Sequence, residues 1–374
     1  QYDGAKLSSS AGWEWGYLKR LCDASTRSFD WGVTSVLACH PTEPIVAVAP
    51  QDTSEDGVRL INFNTGAEVA RYPGKTQYAL FSRDGKTLYQ ALFKGEVRVF
   101  DFEAAADRPR QTLKVPFSIG PLTVSDDDQF LAGESSIQRN NAFARGICLW
   151  NLSTGKYHVF PAIAGAFRPG THQLVLWANE TSNPVQGRVV VIDAPTKKIA
   201  WATRLFPLHA RAVAVSPDGN VAAFASRDDI QLFHLAARAP GDRLAGHQGQ
   251  IHALTFNADG TKLASVGNDQ TVRAWDLSSG EHHALLGHEA QLVTNVAYSA
   301  DGRILSHSQD GTVRLWDPEL NPYRHRFHRE LRNVGDVGFC EDGRTLCVLP
   351  IIAMPNQEQG VGVQLWKPRS PVEE

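Results

Sequence analysis

Residues 246–276 and 287–317 are two copies of one pattern. Gly246-His247 corresponds to Gly287-His288, Asn257-Ala258-Asp259-Gly260 to Ser299-Ala300-Asp301-Gly302, and Trp275-Asp276 to Trp316-Asp317, at a shift of 41 or 42 residues. A fixed period of that length makes each copy one supersecondary unit. Within a copy, short apolar runs (IHALTF, KLASV and TVRAWDL; VTNVAYS, RILSH and TVRLWDP) are separated by Gly and Asp turns. That is the pattern of antiparallel hairpins. A lone four-stranded sheet cannot bury both its faces, so the copies must stack on neighbours.

The same template runs along the whole chain. The turn after the first strand of each unit falls at His40-Pro41, Ser82-Arg83-Asp84-Gly85, Ser125-Asp126-Asp127-Asp128, Arg168-Pro169-Gly170, Ser216-Pro217-Asp218-Gly219, Asn257, Ser299 and Cys340-Glu341-Asp342-Gly343. The intervals are 42, 43, 43, 48, 41, 42 and 41 residues. A third strand recurs eight times, as VRLINF, VRVFDF, ICLWNL, VVVIDA, IQLFHL, VRAWDL, VRLWDP and VQLWKP. The Gly-His and Trp-Asp pairs at opposite ends of the sharp copies resemble the WD40 repeat. That resemblance implies an all-β propeller. The repeat count predicts eight blades, with seven as the alternative, closed by an N-terminal outer strand. Ser25–Asp30 is expected to pair beside the strand ending at Trp366, which removes an open sheet edge. The predicted layout is an extension over 1–24 with a short helix, the propeller over 25–368 and a tail over 369–374.

A length of 374 residues ordinarily suggests two or three domains, but eight such units fill the chain. No apolar run approaches the ~18 residues of a membrane helix, so no membrane segment is expected. The net charge is -3 with both signs interspersed and no basic stripe, which argues against a nucleic-acid partner. Of the five cysteines, Cys39, Cys148, Cys340 and Cys347 fall in predicted strands and Cys22 precedes them. Without a CxxC pair they read as small buried hydrophobes. No cofactor, metal or disulfide is expected. The chain begins at Gln1 with no signal-peptide pattern, and is read as a fragment or a processed chain. A cytoplasmic monomer is expected, or an extracytoplasmic one if a transmembrane helix lies upstream.

Trp13, Tyr17, Leu18 and Leu21 recur at helical spacing and predict a short amphipathic helix. The same stretch, Gly12-Trp13-Glu14-Trp15 followed by Tyr17-Leu18-Lys19-Arg20-Leu21-Cys22, resembles the junction before the propeller in planctomycete-type bacterial WD40-repeat serine/threonine protein kinases. The resemblance covers about eleven residues and implies a kinase domain upstream in the parent gene. The kinase's own motifs, a Gly-rich phosphate loop, an HRD-type loop and DFG, are absent from this sequence.

Catalytic motifs are hard to find. Ser153-Thr154-Gly155-Lys156 fits SxxK but falls in a turn, and His282-His283 lie on an outer strand whose alternate residues face opposite sides. His247, Ser265, Asp269 and Trp275 suggest a hydrolase triad, and so do His288, Ser306, Asp310 and Trp316. Their appearance once per copy fits instead the structural tetrad of WD40 blades, since an active site is single. The expected function is a non-catalytic protein–protein interaction scaffold, the sensory or docking domain of a kinase-linked protein. The alternative is a propeller enzyme such as a quinoprotein-like dehydrogenase, whose blade motif is faintly similar to Asp193–Trp201.

Long connections at Gln51–Gly57, Ser135–Gly146, Ala178–Gly187 and Ala353–Gly362 are predicted to share one face, beside the Gly-His loops. They are assigned to blades 1, 3, 4 and 8. Insertions on a repeat scaffold mark a binding face, so a protein or peptide partner is expected there. The candidate contacts are Gln138, Arg139, Asn140, Asn141 and Phe143 in blade 3, Glu180 and Asn183 in blade 4, and Asn356 and Gln357 in blade 8. An aromatic beside an Arg and amides suits such an interface.

Overall fold

The computed structural model describes residues 25–30, 34–50, 57–102, 108–139, 142–179, 186–206, 210–288, 292–318, 334–339, 346–350 and 364–366. These residues form strands and turns only. The N-terminal helix expected around Trp13–Leu21 lies outside them.

The chain divides into two compact units, residues 1–319 and 320–374. The first unit holds seven four-stranded antiparallel sheets. Blade 1 is β2 (Thr34–Cys39), β3 (Ile45–Pro50), β4 (Val58–Asn62) and β5 (Glu68–Tyr72). Blade 2 is β6 (Thr76–Phe81), β7 (Thr87–Leu92), β8 (Glu96–Asp101) and β9 (Gln111–Lys114). Blade 3 is β10 (Ser118–Val124), β11 (Phe130–Arg139), β12 (Ala142–Asn151) and β13 (Tyr157–Phe160). Blade 4 is β14 (Ala164–Phe167), β15 (Gln173–Asn179), β16 (Gly187–Asp193) and β17 (Lys198–Ala202). Blade 5 is β18 (Ala210–Val215), β19 (Val221–Ser226), β20 (Asp229–His234) and β21 (Ala239–Ala245). Blade 6 is β22 (Ile251–Phe256), β23 (Lys262–Gly267), β24 (Val272–Asp276) and β25 (His282–Leu285). Blade 7 is β26 (Val293–Tyr298), β27 (Ile304–Ser308) and β28 (Thr312–Trp316), completed by β1 (Arg27–Asp30).

The core is a series of layers between blades, because alternate residues on a strand face opposite neighbours. In β15, Leu174 and Leu176 pack toward blade 3. Val175 and Trp177 pack toward Phe224 and Phe233 of blade 5. In β7, Leu88 joins the layer with blade 1 and Tyr89 the layer with blade 3. Such strands are apolar on both faces, which is why their sequences run continuously apolar.

The ring therefore has seven blades, not eight. The N-terminal strand completes the blade ending at Trp316, not one ending at Trp366. Phe29 pairs with Val313 and Ser28 with Arg314, while Thr26 donates its amide to the Leu315 carbonyl at 2.7 Å. Blade 7 packs directly on blade 1: Phe29, Leu305, Val313 and Leu315 share one layer with Leu37, Val46, Val48, Ile61 and Phe63. Arg27 donates from Nη1 to the Asn64 carbonyl at 2.6 Å, and Arg303 to Asn64 Oδ1 at 2.7 Å. The physical reason is chain length. Only residues 31–33 separate β1 from β2, so β1 must lie in the blade beside blade 1. Periodicity counts units without saying which of them enter the ring. The last three strands, β29 (Val334–Phe339), β30 (Leu346–Pro350) and β31 (Gln364–Trp366), form a three-stranded sheet in the second unit.

The turns between first and second strands share one device. Ser82 donates to Asp84 at 2.6 Å and accepts from the Thr87 amide at 2.9 Å. Ser125 does the same with Asp127 and Phe130, and Ser216 with Asp218 and Val221. The residue after the Asp is left-handed, as at Gly85 (φ 78°) and Gly219 (φ 71°), and Asp128 adopts φ 55° in that slot. Contacts between these turns then cross blades. Arg83 of blade 2 pairs with Asp126 of blade 3 at 2.8 Å and reaches the Pro217 carbonyl of blade 5 at 3.4 Å. Asp126 accepts from the Gly170 amide at 2.6 Å. His172 meets Asp127 at 2.6 Å, and Arg168 donates to the Gly219 carbonyl at 2.7 Å.

Phe29 fills the closing layer at 9% exposure. Phe29→Ala is expected to destabilise the ring by about 3 kcal/mol, read as a lowered denaturation midpoint. A midpoint equal to wild type would mean that β1 does not close the ring.

Candidate functional site

A meander of four strands places its connections alternately on two faces. The turns just described, and those between third and fourth strands, lie on the lower face. Connections between second and third strands, and those joining one blade to the next, lie on the upper face.

On the upper face of blades 6 and 7 the chain builds two hydrogen-bonded networks. His247 Nδ1 lies 2.8 Å from Asp269 Oδ2 and its Nε2 2.7 Å from Ser265 Oγ; Trp275 Nε1 donates to Ser265 at 2.8 Å. In blade 7, His288 Nδ1 lies 3.0 Å from Asp310 and its Nε2 2.7 Å from Ser306, which accepts from Trp316 Nε1 at 2.7 Å. A carboxylate only accepts, so the histidine proton sits on Nδ1 and the Ser hydroxyl donates to Nε2. Each chain then runs in one direction, Trp to Ser to His to Asp, which strengthens every member. Ser265 and Ser306 have 0% exposure, so neither hydroxyl meets a substrate.

Two threonines that the sequence reading missed complete the networks. Thr271 donates to Asp269 at 2.9 Å and Thr312 to Asp310 at 2.6 Å. Their signal was the recurrence of Thr two positions after each Asp. Burial opposes ionisation of Asp269, but hydrogen bonds from His247, the Gln248 amide and Thr271 hold its carboxyl well below the usual carboxylate range. His282 stacks on Trp275 with centroids 4.4 Å apart. The SxxK serine Ser153 donates to Asn151 Oδ1 at 2.7 Å inside its turn.

Registers show what stands in place of the network elsewhere. In blade 3, Trp150 pairs with Leu131 as Trp275 pairs with Leu263, and Gly133 falls where Ser265 does. Trp150 Nε1 is buried without a partner. In blade 5, Phe224 falls at the Ser265 position and Phe233 at the Trp275 position. Phe206, four residues before β18, corresponds to His247, four before β22. Three polar positions are thus aromatic. A cavity of about 710 Å³ opens there between blades 4 and 5, bordered by Trp177 and Arg227 among others.

The blade 3 connection is a β-hairpin, where a loop was expected. Gln138 pairs with Phe143 and Arg139 with Ala142, with Asn140 and Asn141, outside the described residues, as the link. An Asn pair between extended runs is a hairpin signal. The neighbouring strands reach only Ser136 on one side and Ile147 on the other, so the hairpin tip extends past both. At its base a second cavity of about 240 Å³ is lined by Gln77, Ser118, Glu134 and Arg145. Burial pushes the Glu134 carboxyl up to about 8, against the lowering pull of Arg145. Glu180 and Asn183 lie outside the described residues, in the connection leaving β15. Asn356 and Gln357 also lie outside them, in the second unit.

The WD domain, G-beta repeat family matches residues 239–276 and 280–317, the two blades that carry the networks. The chain is a β-propeller that carries WD40 repeats in blades 6 and 7. The repeats are similar to the periodic tryptophan protein 2 homolog of Schizosaccharomyces pombe, at 38% identity over 18% of this chain and 8% of that protein. They are also similar to periodic tryptophan protein 2 of Arabidopsis thaliana, at 26% identity over 54% of this chain and 22% of that protein. The matched stretches are under a quarter of either relative's length. In fold, the WD40 ring is similar to a chain in the crystal structure of a mitotic checkpoint complex. The TM-score is 0.62 at 18% identity, over 79% of this chain and 91% of that one. Among the described residues, no helix is long and apolar enough to cross a membrane.

Asp269→Ala or Asp310→Ala should destabilise the WD40 ring by about 1–3 kcal/mol, because a buried His and Thr lose their acceptor. Since the folded-state pKa of Asp269 is depressed, its contribution is complete above the ordinary carboxylate value of about 4 and is lost as pH falls below it. Thermal melts between pH 7 and pH 3 should show that loss, and Asp269→Asn should flatten it. An unchanged acid slope in the Asn variant would count against the network.

Proposed function

We propose that this chain is a non-catalytic interaction scaffold that binds a protein or peptide on its upper face. The observation that carries this reading is the asymmetry of the ring. Lower-face turns of blades 2 to 5 spend their polar groups on one another through Arg83, Asp126, His172 and Arg168. The upper face instead carries a projecting hairpin and two cavities. WD40 propellers among the similar proteins, including a chain of a mitotic checkpoint complex, support a scaffold. Asp193–Trp201, the stretch behind the quinoprotein-like alternative, runs from the end of β16 through a turn into β17.

The narrower reading is a docking or sensory domain of a bacterial kinase-linked protein, working as a cytoplasmic monomer. The junction sequence Gly12–Cys22 supports the kinase link, and the free cysteines Cys39 and Cys148 suit a reducing compartment. A kinase reading frame immediately upstream of Gln1 in the parent gene would be the expected finding; its absence would remove the link and leave the scaffold reading.

The scaffold reading is tested by site-specific photo-crosslinking in extracts of the source organism. A photoreactive phenylalanine analogue at position 143, on the hairpin, should give discrete protein adducts. The same analogue at position 86, on the lower face, should give none. Adducts from position 86 alone, or equal yields from both, would overturn the assignment of the working face.

A further inference from the structure

We propose that the cavity between blades 4 and 5 receives an apolar side chain of a partner peptide whose neighbouring residues are acidic, an inference that rests on the upper face being the docking face. Three observations support it: a missing clamp, a rigid apolar interior and a surplus of positive charge at the mouth.

In blades 6 and 7 the His–Asp bond ties the connection between blades to the turn between second and third strands. Blade 5 has Phe206 at the His position and Asp228 at the start of its turn, and these cannot hydrogen-bond. Among the described residues no side-chain clamp of that kind joins the two segments, and residues of both line the cavity.

Its floor is Trp177, Phe224 and Phe233, with Trp177 and Phe224 ring centroids 5.4 Å apart. The floor is rigid because its polar needs are met internally: Trp177 Nε1 donates to Asn179 at 2.9 Å. Gly187 lets the indole lie flat across β16, since a Cβ there would come within 2.5 Å of it. Phe206 forms a half-buried wall, held by paired backbone bonds to Gly187 at 2.7 and 3.1 Å. A volume of about 710 Å³ is well above that of one side chain and within the range of ligand pockets.

The mouth carries Arg211, Arg227 and Arg243 against Asp228 and Asp229. Arg243 is paired with Asp229, and Arg211 faces the Gln250 side-chain amide, whose oxygen accepts from it at 3.2 Å once that amide is turned over. Arg227 is exposed, sits at φ 48° in the turn and has no ion pair among the described residues. A local excess of cations on a chain of net charge -3 selects carboxylates beside the inserted group. The net charge of -3 on the whole chain disfavours a polyanionic strand, so a peptide is favoured over a nucleic acid.

The test uses the full chain and a fluorescein-labelled hexapeptide with one Phe followed by two Glu, alongside a counterpart with two Lys. Fluorescence anisotropy should show saturable binding of the Glu peptide, with the Lys peptide at least about tenfold weaker. Arg227→Glu and Phe206→Ala should each weaken the Glu peptide about tenfold, while Lys86→Glu on the lower face leaves it unchanged. Should Arg227→Glu melt early, Arg227→Gln at higher peptide concentration gives the same comparison. Equal affinity for the two peptides, no effect of the Arg227 change, or no saturation below about 1 mM would overturn the proposal. So would displacement of the peptide by a single-stranded oligonucleotide at lower concentration. If hairpin crosslinks form but the peptide fails, this cavity is wrong and the docking face stands.

Discussion

Closure of the ring is the constraint on which everything else depends. Each blade buries its two faces only against neighbours, so an open stack would leave two apolar sheets in water. The bond between the ends is four residues long. Arg27–Asp30 pairs along Thr312–Leu315, and Phe29 enters a layer shared by blades 7 and 1. Hydrogen bonding and burial act together there: the strand completes a sheet, and its one large apolar side chain completes a core. Arg27 and Arg303 then reach from blade 7 to Asn64 of blade 1, so the seam is bound on the lower face as well.

Within that frame the two faces are built by different chemistry. The lower face is held by short-range turns, in which a Ser or Asn side chain substitutes for the backbone bonds that a tight reversal cannot make. This device recurs with little change in blades 2, 3, 5, 6 and 7. The upper face is held by His–Asp clamps in blades 6 and 7 only, as far as the described residues extend. Where the clamp is lost, the blades found other solutions: Gln90 of blade 2 donates to Thr76 at 2.8 Å, and blade 5 is packed with phenylalanine. Variation is therefore concentrated on the face where the clamps are dispensable.

The repeat, the strand order and both networks were legible in the sequence because they depend on local spacing. His247 and Asp269 are 22 residues apart, inside one period, and the period repeats. Blade number was not legible. It depends on whether Phe29 meets Val313 or a residue near Trp366, and nothing local distinguishes the two. The blade 3 connection was misread for another reason: its length is visible, but the pairing of Gln138 with Phe143 is a choice between loop and hairpin that length alone does not make. The blade 5 cavity was invisible because Phe206, Phe224 and Phe233 look like ordinary core residues until the strand registers align them with His247, Ser265 and Trp275.

The contact from Arg83 to the Pro217 carbonyl has a geometric consequence. Blades 2 and 5 stand on opposite sides of a seven-membered ring, and a guanidinium bridges them at the lower end. The lower ends of two blades that are not neighbours are therefore tied to each other as well as to the blades beside them. A guanidinium reaching across the ring resists shear between its two halves at that end.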